Sequence, residues 1–268
     1  MKRKTAAVLY FLVSLMAASC SKIDALFSNG EPVTEQRTVG QRFEAISMFN
    51  NVNVKLVQDN RQHLELTCPK NLIDKVTTEV VGDTLIIRNE NDFNWLRSFD
   101  YSIDLTVYYD SLREINYASI ANLTCNEPIR GIGEQVIDTT FSADTTFYVI
   151  DTNWSRSLFL FINEGSGNID LTLNCNILKN DFKNGTSVVT LRGHAGYAEH
   201  YLRSYGTIHA ETLNSNIVSL SSESTNDLYI WARSILTARI HSIGNVYYRG
   251  NPWIQKEGNG EGQVIKLE

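Results

Sequence analysis

"GNIDLTL", residues 167–173, opens a seven-residue pattern that recurs four times: "SVVTLRG" (187–193), "GTIHAET" (206–212), "NDLYIWA" (226–232) and "GNVYYRG" (244–250). Within each copy apolar and polar residues alternate, which is typical of a half-buried strand. A Gly, Ser, Asn or Asp stands one or two residues before each strand. Successive copies lie 20, 19, 20 and 18 residues apart, counted between the first inward positions Ile169, Val189, Ile208, Leu228 and Val246.

The same alignment gives a second inward column that is apolar throughout and a third that drifts to small residues. The second is Leu171, Leu191, Ala210, Ile230 and Tyr248, and the third is Leu173, Gly193, Thr212, Ala232 and Gly250. Columns that recur every ~20 residues indicate that each turn of chain stacks on the last, about 4.8 Å away. We predict an all-β fold, a β-solenoid of the right-handed parallel β-helix type. The alternative is an antiparallel β-sandwich, which also spaces short strands regularly.

Strand-like alternation also marks the first half, for example in "NVNVKLV" (51–57) and "YSIDLTVYY" (101–109), while residues 71–76 fit one short helical turn. We divide the chain after residue 19 into a tether (20–36), an N-terminal β-strand region of the solenoid (37–125), C-terminal repeats (126–257) and a tail (258–268). Residues 126–157 exceed a plain rung in length, which indicates an insertion.

The N-terminus has the features of a secretion signal. Lys2, Arg3 and Lys4 precede "TAAVLYFLVSLMAAS" (5–19), an apolar run of signal-peptide length that is short for a membrane span. Small residues directly before Cys20 resemble a bacterial lipobox, which implies cleavage before Cys20 and lipidation of that cysteine. The alternative is a plain signal peptide or an N-terminal anchor.

Charge and cysteine content narrow the partners. The formal charge of −6 becomes −9 when residues 1–19, with three positive and no negative side chains, are removed. So acidic a chain predicts no nucleic-acid partner, and membrane attachment would come from lipid on Cys20 rather than from charge. The remaining Cys68, Cys125 and Cys175 allow at most one disulfide, and we predict them to be small buried residues.

Several motifs, taken in order, resemble one known family. The lipobox is followed by "FEAISMFNNVNVKLVQ" (43–58), "GDTLIIRN" (82–89), "LTVYYDSLREINYASIANL" (105–123), "EGSGNIDLTL" (164–173) and "VYYRGNP" (246–252). Over about residues 39–257 the chain is similar to the family described as "putative auto-transporter adhesin, head GIN domain", common among Bacteroidetes lipoproteins. The resemblance implies a β-solenoid-like lipoprotein with a role in adhesion and supplies no catalytic residues. Most rungs here lack the family's double glycine.

No motif predicts a catalytic, metal or cofactor site. His194 and His200 are six residues apart, which is not a metal-ligand spacing, and no phosphate loop or nucleophile elbow occurs. Some solenoid enzymes cleave polysaccharides with paired carboxylates on one outer face. The outward columns here (Asp170, Thr190, His209, Tyr229, Tyr247 and Thr172, Arg192, Glu211, Trp231, Arg249) contain one carboxylate each. Arg192 and Glu211, on adjacent rungs, could pair.

Four aromatic residues late in the repeat form the candidate ligand patch. Tyr229, Trp231 and Tyr247 are predicted to point outward, with Trp253 close by. Exposed aromatic surface often marks a binding site, but strands also favour aromatic residues for stacking between rungs. Both interpretations stay open at this stage.

The leading hypothesis is a non-enzymatic, lipid-anchored protein of the outer membrane that acts as an adhesin or binding module, with a glycan or protein ligand. The face of that membrane is left open. The alternatives are a carbohydrate-active solenoid enzyme and a structural partner in envelope assembly. "NPWIQKEGNGEG" (251–262) is predicted to be the turn and cap that end the stack, because a proline cannot donate to a strand ladder.

Overall fold

The computed structural model describes residues 29–91, 101–130 and 157–268 of the chain. The predicted signal peptide (1–19), Cys20 and most of segment 126–157 lie outside these ranges, so the predictions about them stay predictions. Within the described ranges no helix is long and apolar enough to cross a membrane.

The described chain is all β, as predicted, apart from a short 3-10 helix at Ile73–Lys75, inside the segment predicted to form one helical turn. Its strands are β1 (Pro32–Thr38), β2 (Ala45–Asn50), β3 (Asn53–Gln58), β4 (His63–Pro69), β5 (Val76–Val81), β6 (Thr84–Asn89), β7 (Asp104–Tyr109), β8 (Glu114–Ser119), β9 (Leu123–Arg130), β10 (Ser157–Gly165), β11 (Asn168–Phe182), β12 (Val188–Leu202), β13 (Thr207–Ser222), β14 (Leu228–Ile240), β15 (Val246–Arg249), β16 (Trp253–Glu257) and β17 (Val264–Lys266).

These strands form one open, curled sheet whose two arms enclose the core. The first arm runs β1, β4, β7, β3, β9, the first halves of β11 to β14, then β15 and β17. The second arm runs β5, β6, β2, β8, β10, the second halves of β11 to β14, then β16. Strands β11 to β14 belong to both arms because they bend near the middle. In β11 the bend shows as a change in the alternation of buried residues between Cys175 and Leu178.

The predicted first column is confirmed by the parallel pairing of β11 to β15. Its five residues are successive Cα partners and are fully buried: Ile169, Val189, Ile208, Leu228 and Val246. Upstream the column continues through Leu123 of β9 to Val54 of β3. One rung alone could not bury these side chains, so the stack is stable only as a whole.

The predicted third column is wrong at one position. Gly193 pairs with Leu213, not Thr212, because the register between β12 and β13 shifts between Thr190 and Arg192. The shift places one extra residue in β13, in the manner of a β-bulge. Glu211 therefore does not stand opposite Arg192, which pairs with Thr212 instead.

The N-terminal region departs from a uniform parallel stack. The pairs β1–β4, β4–β7 and β5–β6 are antiparallel, whereas the pairs formed by β8 to β17 are all parallel. Strands β2 and β3 also sit between later strands, because β2 pairs with β6 and β8, and β3 pairs with β7 and β9. The predicted ~20-residue rung is therefore a property of the second half of the chain.

Three predicted boundaries need correction. Strand β1 begins at Pro32, inside the predicted tether, and is held by backbone pairing to β4 and by Arg37, which donates 2.6 Å to the carbonyl of Val76. The stack was predicted to end at Asn251 and Pro252, but strand β16 extends the second arm beyond them. Pro252 is tolerated because it lies in the connection between β15 and β16, where no ladder bond is required. Strand β17 lies in the predicted tail and pairs with β15.

A side-chain ladder fixes where the rungs of the first arm begin. At this position the side-chain oxygen of one residue accepts a hydrogen bond from the backbone N–H of its equivalent on the next rung. The bonds are Asn53 from Asn122 (3.0 Å), Asn122 from Asn168 (3.0 Å), Asp227 from Asn245 (2.8 Å) and Asn245 from Gln263 (2.9 Å). Turn-forming residues at the start of these rungs therefore bond across rungs, and the ladder is interrupted at Val188 and Thr207, which take the equivalent positions in β12 and β13.

Asp227→Ala should lower the free energy of unfolding by about 1 kcal/mol, because the half-buried N–H of Asn245 loses its acceptor. Asp227→Asn is the matched control, since it keeps an oxygen at the same place. Urea denaturation of the three chains measures the difference. Equal destabilisation in both variants would show that the hydrogen bond is not the cause.

Two polar side chains interrupt a core column of the second arm, which reads Leu160, Asn180, His200, Leu220 and Ala238 along successive rungs. Asn180 is 0% exposed and His200 is 1% exposed. Neither amide atom of Asn180 nor Nδ1 of His200 has a hydrogen-bond partner within the described structure. Burial lowers the pKa of His200 to about 4, so this core holds a neutral imidazole at neutral pH.

His200→Leu should stabilise the protein, and the gain should grow on acidification. The unfolded chain takes up a proton near the ordinary histidine pKa of 6.5, while folded His200 resists protonation down to about pH 4, so wild-type stability falls as pH drops through this window. From pH 7 to pH 5 the difference between variant and wild type should widen by about 2 kcal/mol in urea denaturation. His194→Leu, at an exposed position, controls for the added leucine. A pH-independent difference would contradict the assignment.

Candidate functional site

The predicted outward column of the first arm carries three stacked rings. Tyr229 is the Cα partner of His209 on one side and of Tyr247 on the other. The centroids of His209 and Tyr229 are 4.8 Å apart with planes at 6°, and those of Tyr229 and Tyr247 are 5.1 Å apart at 12°. These separations match the rung spacing, because equivalent side chains of paired rungs stand side by side. We call this set the ring column.

The stacking decides which parts of the rings a ligand can reach. Both faces of Tyr229 are covered by its neighbours, and Ile265 follows Tyr247 on the next rung. Ring edges and hydroxyl groups remain at the surface, where the rings are half-buried. Burial also raises the pKa of the Tyr229 hydroxyl, which keeps it a neutral hydrogen-bonding group.

The structure brings only part of the predicted patch together. Trp231 adjoins the ring column in β14, is the partner of Arg249, and lies next to Gly250, whose positive φ of 98° favours glycine. Trp253 belongs to the second arm, where it pairs with Ile235, and is 63% exposed. Its proximity in sequence is not proximity on one surface. Ligand binding by these four residues stays a prediction.

The charged groups beside the ring column are engaged with one another. The two terminal guanidinium nitrogens of Arg192, Nη1 and Nη2, donate to the carboxylate of Asp170, and the Nη2–Oδ2 distance is 3.0 Å. Glu211 lies 3.3 Å from Nδ1 of His209, and its second oxygen is buried without a hydrogen-bond partner in the described chain. The predicted Arg192–Glu211 pair is therefore wrong, since the bulge in β13 turns Glu211 toward His209.

The remaining reactive side chains serve the fold. Cys68, Cys125 and Cys175 are buried free thiols, as predicted, and burial raises their pKa values to about 11, 11 and 12. His63 stacks on Tyr108 at 3.9 Å. Among the described residues no three histidine, cysteine or carboxylate side chains cluster in a way that could hold a metal ion.

A second surface was missed by the sequence reasoning. Where the second arm returns to the first, each turn exposes its middle residue, and three of these residues are large and apolar. Ile120 is 63% exposed, Tyr205 is 70% exposed and Ile243 is 59% exposed. Each stands in a Ser-X-small triplet, and in two of these the serine oxygen accepts from the N–H two residues on, at 3.1 Å in Ser119 and 3.3 Å in Ser204. That recurring triplet was the available signal.

Several solved structures share this fold. A putative adhesin from Bacteroides fragilis NCTC 9343 has a TM-score of 0.73 at 19% identity, covering 90% of this chain and 100% of that chain. A putative lipid binding protein from Parabacteroides distasonis ATCC 8503 has 0.58 at 18%, covering 90% and 99%. A putative adhesin from Parabacteroides merdae ATCC 43184 has 0.55 at 18%, covering 90% and 98%. At these identities the likeness concerns the fold.

No curated protein matches the chain. The family model for "putative auto-transporter adhesin, head GIN domain" matches residues 42–252, which is most of the chain and nearly the span over which the motifs resemble that family. The stacked rungs, the order of the motifs and this match agree. The chain belongs to the family described as "putative auto-transporter adhesin, head GIN domain".

Proposed function

We propose that the chain is a lipid-anchored, non-enzymatic β-solenoid that binds a ligand at the bacterial cell envelope, with the ring column and Trp231 as the contact surface. The ring column is the observation that carries the proposal. It places polar ring edges of His209, Tyr229 and Tyr247 in one row on the outside of a rigid sheet. Rigid scaffolds that present aromatic and polar groups together suit recognition.

The solenoid architecture is supported by the second half of the chain. Five successive rungs pair in parallel, and the residues of the first inward column, from Ile169 to Val246, are successive Cα partners. The antiparallel strands near the N-terminus act as an end cap in this interpretation, because they alter the edge that a parallel stack would otherwise leave open.

Binding rather than catalysis is supported by the state of the charged groups. Glycoside hydrolysis usually needs two carboxyl groups that flank the scissile bond, one as general acid and the other as general base or nucleophile. On this surface Asp170 is held by Arg192, and one oxygen of Glu211 faces His209. The three buried thiols have raised pKa values and do not supply a thiolate nucleophile.

The proposed ligand is a glycan or a protein segment that hydrogen-bonds to ring edges. A sugar stacked flat on Tyr229 does not fit, since His209 and Tyr247 occupy its two faces. Hydroxyl groups of Tyr229 and Tyr247 in the first outward column, and the indole N–H of Trp231 and the guanidinium of Arg249 in the second, provide donors on this surface. Anchoring is proposed through lipid on Cys20, and the outer membrane is the proposed location.

Trp231→Ala and Tyr229→Ala should abolish retention of a bound glycan on an array, or of an envelope protein in a pull-down, while the thermal unfolding midpoint shifts little. Tyr108→Ala is the matched control, because it breaks a stacked pair, His63–Tyr108, in the N-terminal part of the same arm. The control should leave retention unchanged.

A hydrolysis screen on the retained polysaccharides tests the enzymatic alternative. Cleavage that disappears in Glu211→Gln would overturn the non-enzymatic assignment. Unfolding of the Tyr229→Ala chain, combined with unchanged retention by Trp231→Ala, would show that the ring column is structural only.

A further inference from the structure

One edge of the stack is built from the exposed turns that join the second arm to the first. We name it the turn edge, after the middle residues of its turns: Asn51, Ile120, Ser166, Thr186, Tyr205, Thr225, Ile243 and Glu261. All eight are exposed. Backbone bonds keep the turns in register, for example Tyr205 N–H to Gly185 at 3.1 Å and Gly244 N–H to Ser224 at 3.3 Å.

The middle residues of the turn edge are uncharged over most of its length, and charged residues stand beside them at Lys183, Arg203 and Glu223. From Asn51 to Ile243 the row holds only amide, hydroxyl, aliphatic and aromatic side chains, over ~30 Å at the spacing of paired strands. Its three large apolar members, Ile120, Tyr205 and Ile243, project from different rungs, so none can bury itself against another. Single exposed apolar residues are common, and it is their alignment on one edge that makes these three a candidate interaction surface.

The opposite edge, where β11 to β14 bend, has a different character. Asp59, Arg61 and Arg233 are exposed there. Ion pairs add to the charge, with Arg113 at 2.8 Å from Asp83. The opposite edge therefore exposes charged residues, whereas the row of middle residues on the turn edge is uncharged from Asn51 to Ile243. An interface that excludes water is therefore more favourable at the middle residues of the turn edge than at the opposite edge, because burying unpaired charges is costly.

The N-terminal segment leaves the described fold at the turn edge. Pro32, the first residue of β1, pairs with Pro69 at the end of β4. Near that end of β4, Thr67 pairs with Asp104 of β7, which pairs with Asn53 of β3. Pro32 therefore lies at the same end of the first arm as Asn51. Only eight residues, 21–28, separate Cys20 from the described chain, and the nine residue steps from Cys20 to Asn29 span at most ~30 Å. A lipid on Cys20 would hold this edge next to the bilayer.

We propose that the turn edge lies on the membrane surface and inserts Ile120, Tyr205 and Ile243 into the lipid interface. The proposal rests on the lipid anchor at Cys20 of the proposed function. Tyrosine suits the interfacial region, and the two isoleucines reach the acyl boundary. Flanking residues carry both signs, with Arg203 and Glu223 at corresponding positions, so the contact does not depend on anionic lipid.

This orientation sets the position of the ring column. The rungs would stand upright on the membrane, with the stack axis parallel to it. The outer face of the first arm, with Tyr229 and Tyr247, would then face sideways along the bilayer and stay open to ligands.

The experiment places an environment-sensitive NBD probe on single introduced cysteines of the mature full-length chain. Thr225→Cys reports the turn edge and Asn60→Cys reports the opposite edge. Cys68, Cys125 and Cys175 are buried and stay unlabelled in the folded chain. The chain is held on phosphatidylcholine vesicles in two ways, by its own acylated Cys20, and as Cys20→Ala with an N-terminal His tag on a nickel-chelating lipid.

The expected result is a blue-shifted probe at Thr225→Cys that doxyl-labelled lipid quenches severalfold more than the probe at Asn60→Cys. Ile120→Ser, Tyr205→Ser and Ile243→Ser together should remove the difference. Val81→Ser is the matched control, since Val81 is 57% exposed on the opposite edge, and should leave it intact.

Equal quenching at the two positions on both tethers would overturn the docking proposal. Flotation of the acylated chain separately tests the anchor of the proposed function. An acylated chain that fails to float contradicts the anchor, while the nickel-held chain still reports docking. A chain that floats without a difference between the probes keeps the anchor and rejects the docking surface.

Discussion

The backbone ladder between consecutive rungs is the constraint on which this structure depends. Once β11 to β15 pair in parallel, each residue outside the bulges has its equivalent one strand spacing away, on both sides of the sheet. On the inner side the constraint makes apolar columns such as Ile169 to Val246. On the outer side it makes the ring column, because three rings at equivalent positions of adjacent rungs lie within stacking distance of one another. The side-chain ladder at the rung starts follows from the same register.

Much of the fold was predictable because it depends on local alternation and a fixed repeat. The first inward column and the first outward column came directly from the period in sequence, and the structure confirms both. The bulge at Glu211 was not predictable, since the side chains around it still alternate and only the partner strand reveals the extra residue. The placement of β2 and β3 between later strands was also invisible, because no local pattern records which strand lies on either side.

The candidate site divides in the same way. Tyr229 and Tyr247 were expected to meet, and they do, since both occupy one column of the repeat. Trp253 was grouped with them because it is close in sequence, but the bend after β15 carries it to the other arm. The turn edge was not predictable from the sequence because its apolar residues occur in every second or third turn and follow no continuous hydrophobic run. Residues that belong to a surface of turns leave a weak trace in any single window of sequence.

The central position of β2 and β3 has a consequence for biosynthesis. Ala45 of β2 finds one of its two partners in Glu114, 69 residues further along the chain. If the chain crosses a membrane N-terminus first, β2 and β3 would emerge before the strands that pair with them on either side. One of these two unpaired edges would be covered only later, when β8 and β9 emerge. Until that happens its unpaired amide and carbonyl groups are available to any other extended chain. Later rungs each find their partner in the segment just completed, so in an exported chain the vulnerable period would belong to the first part of export.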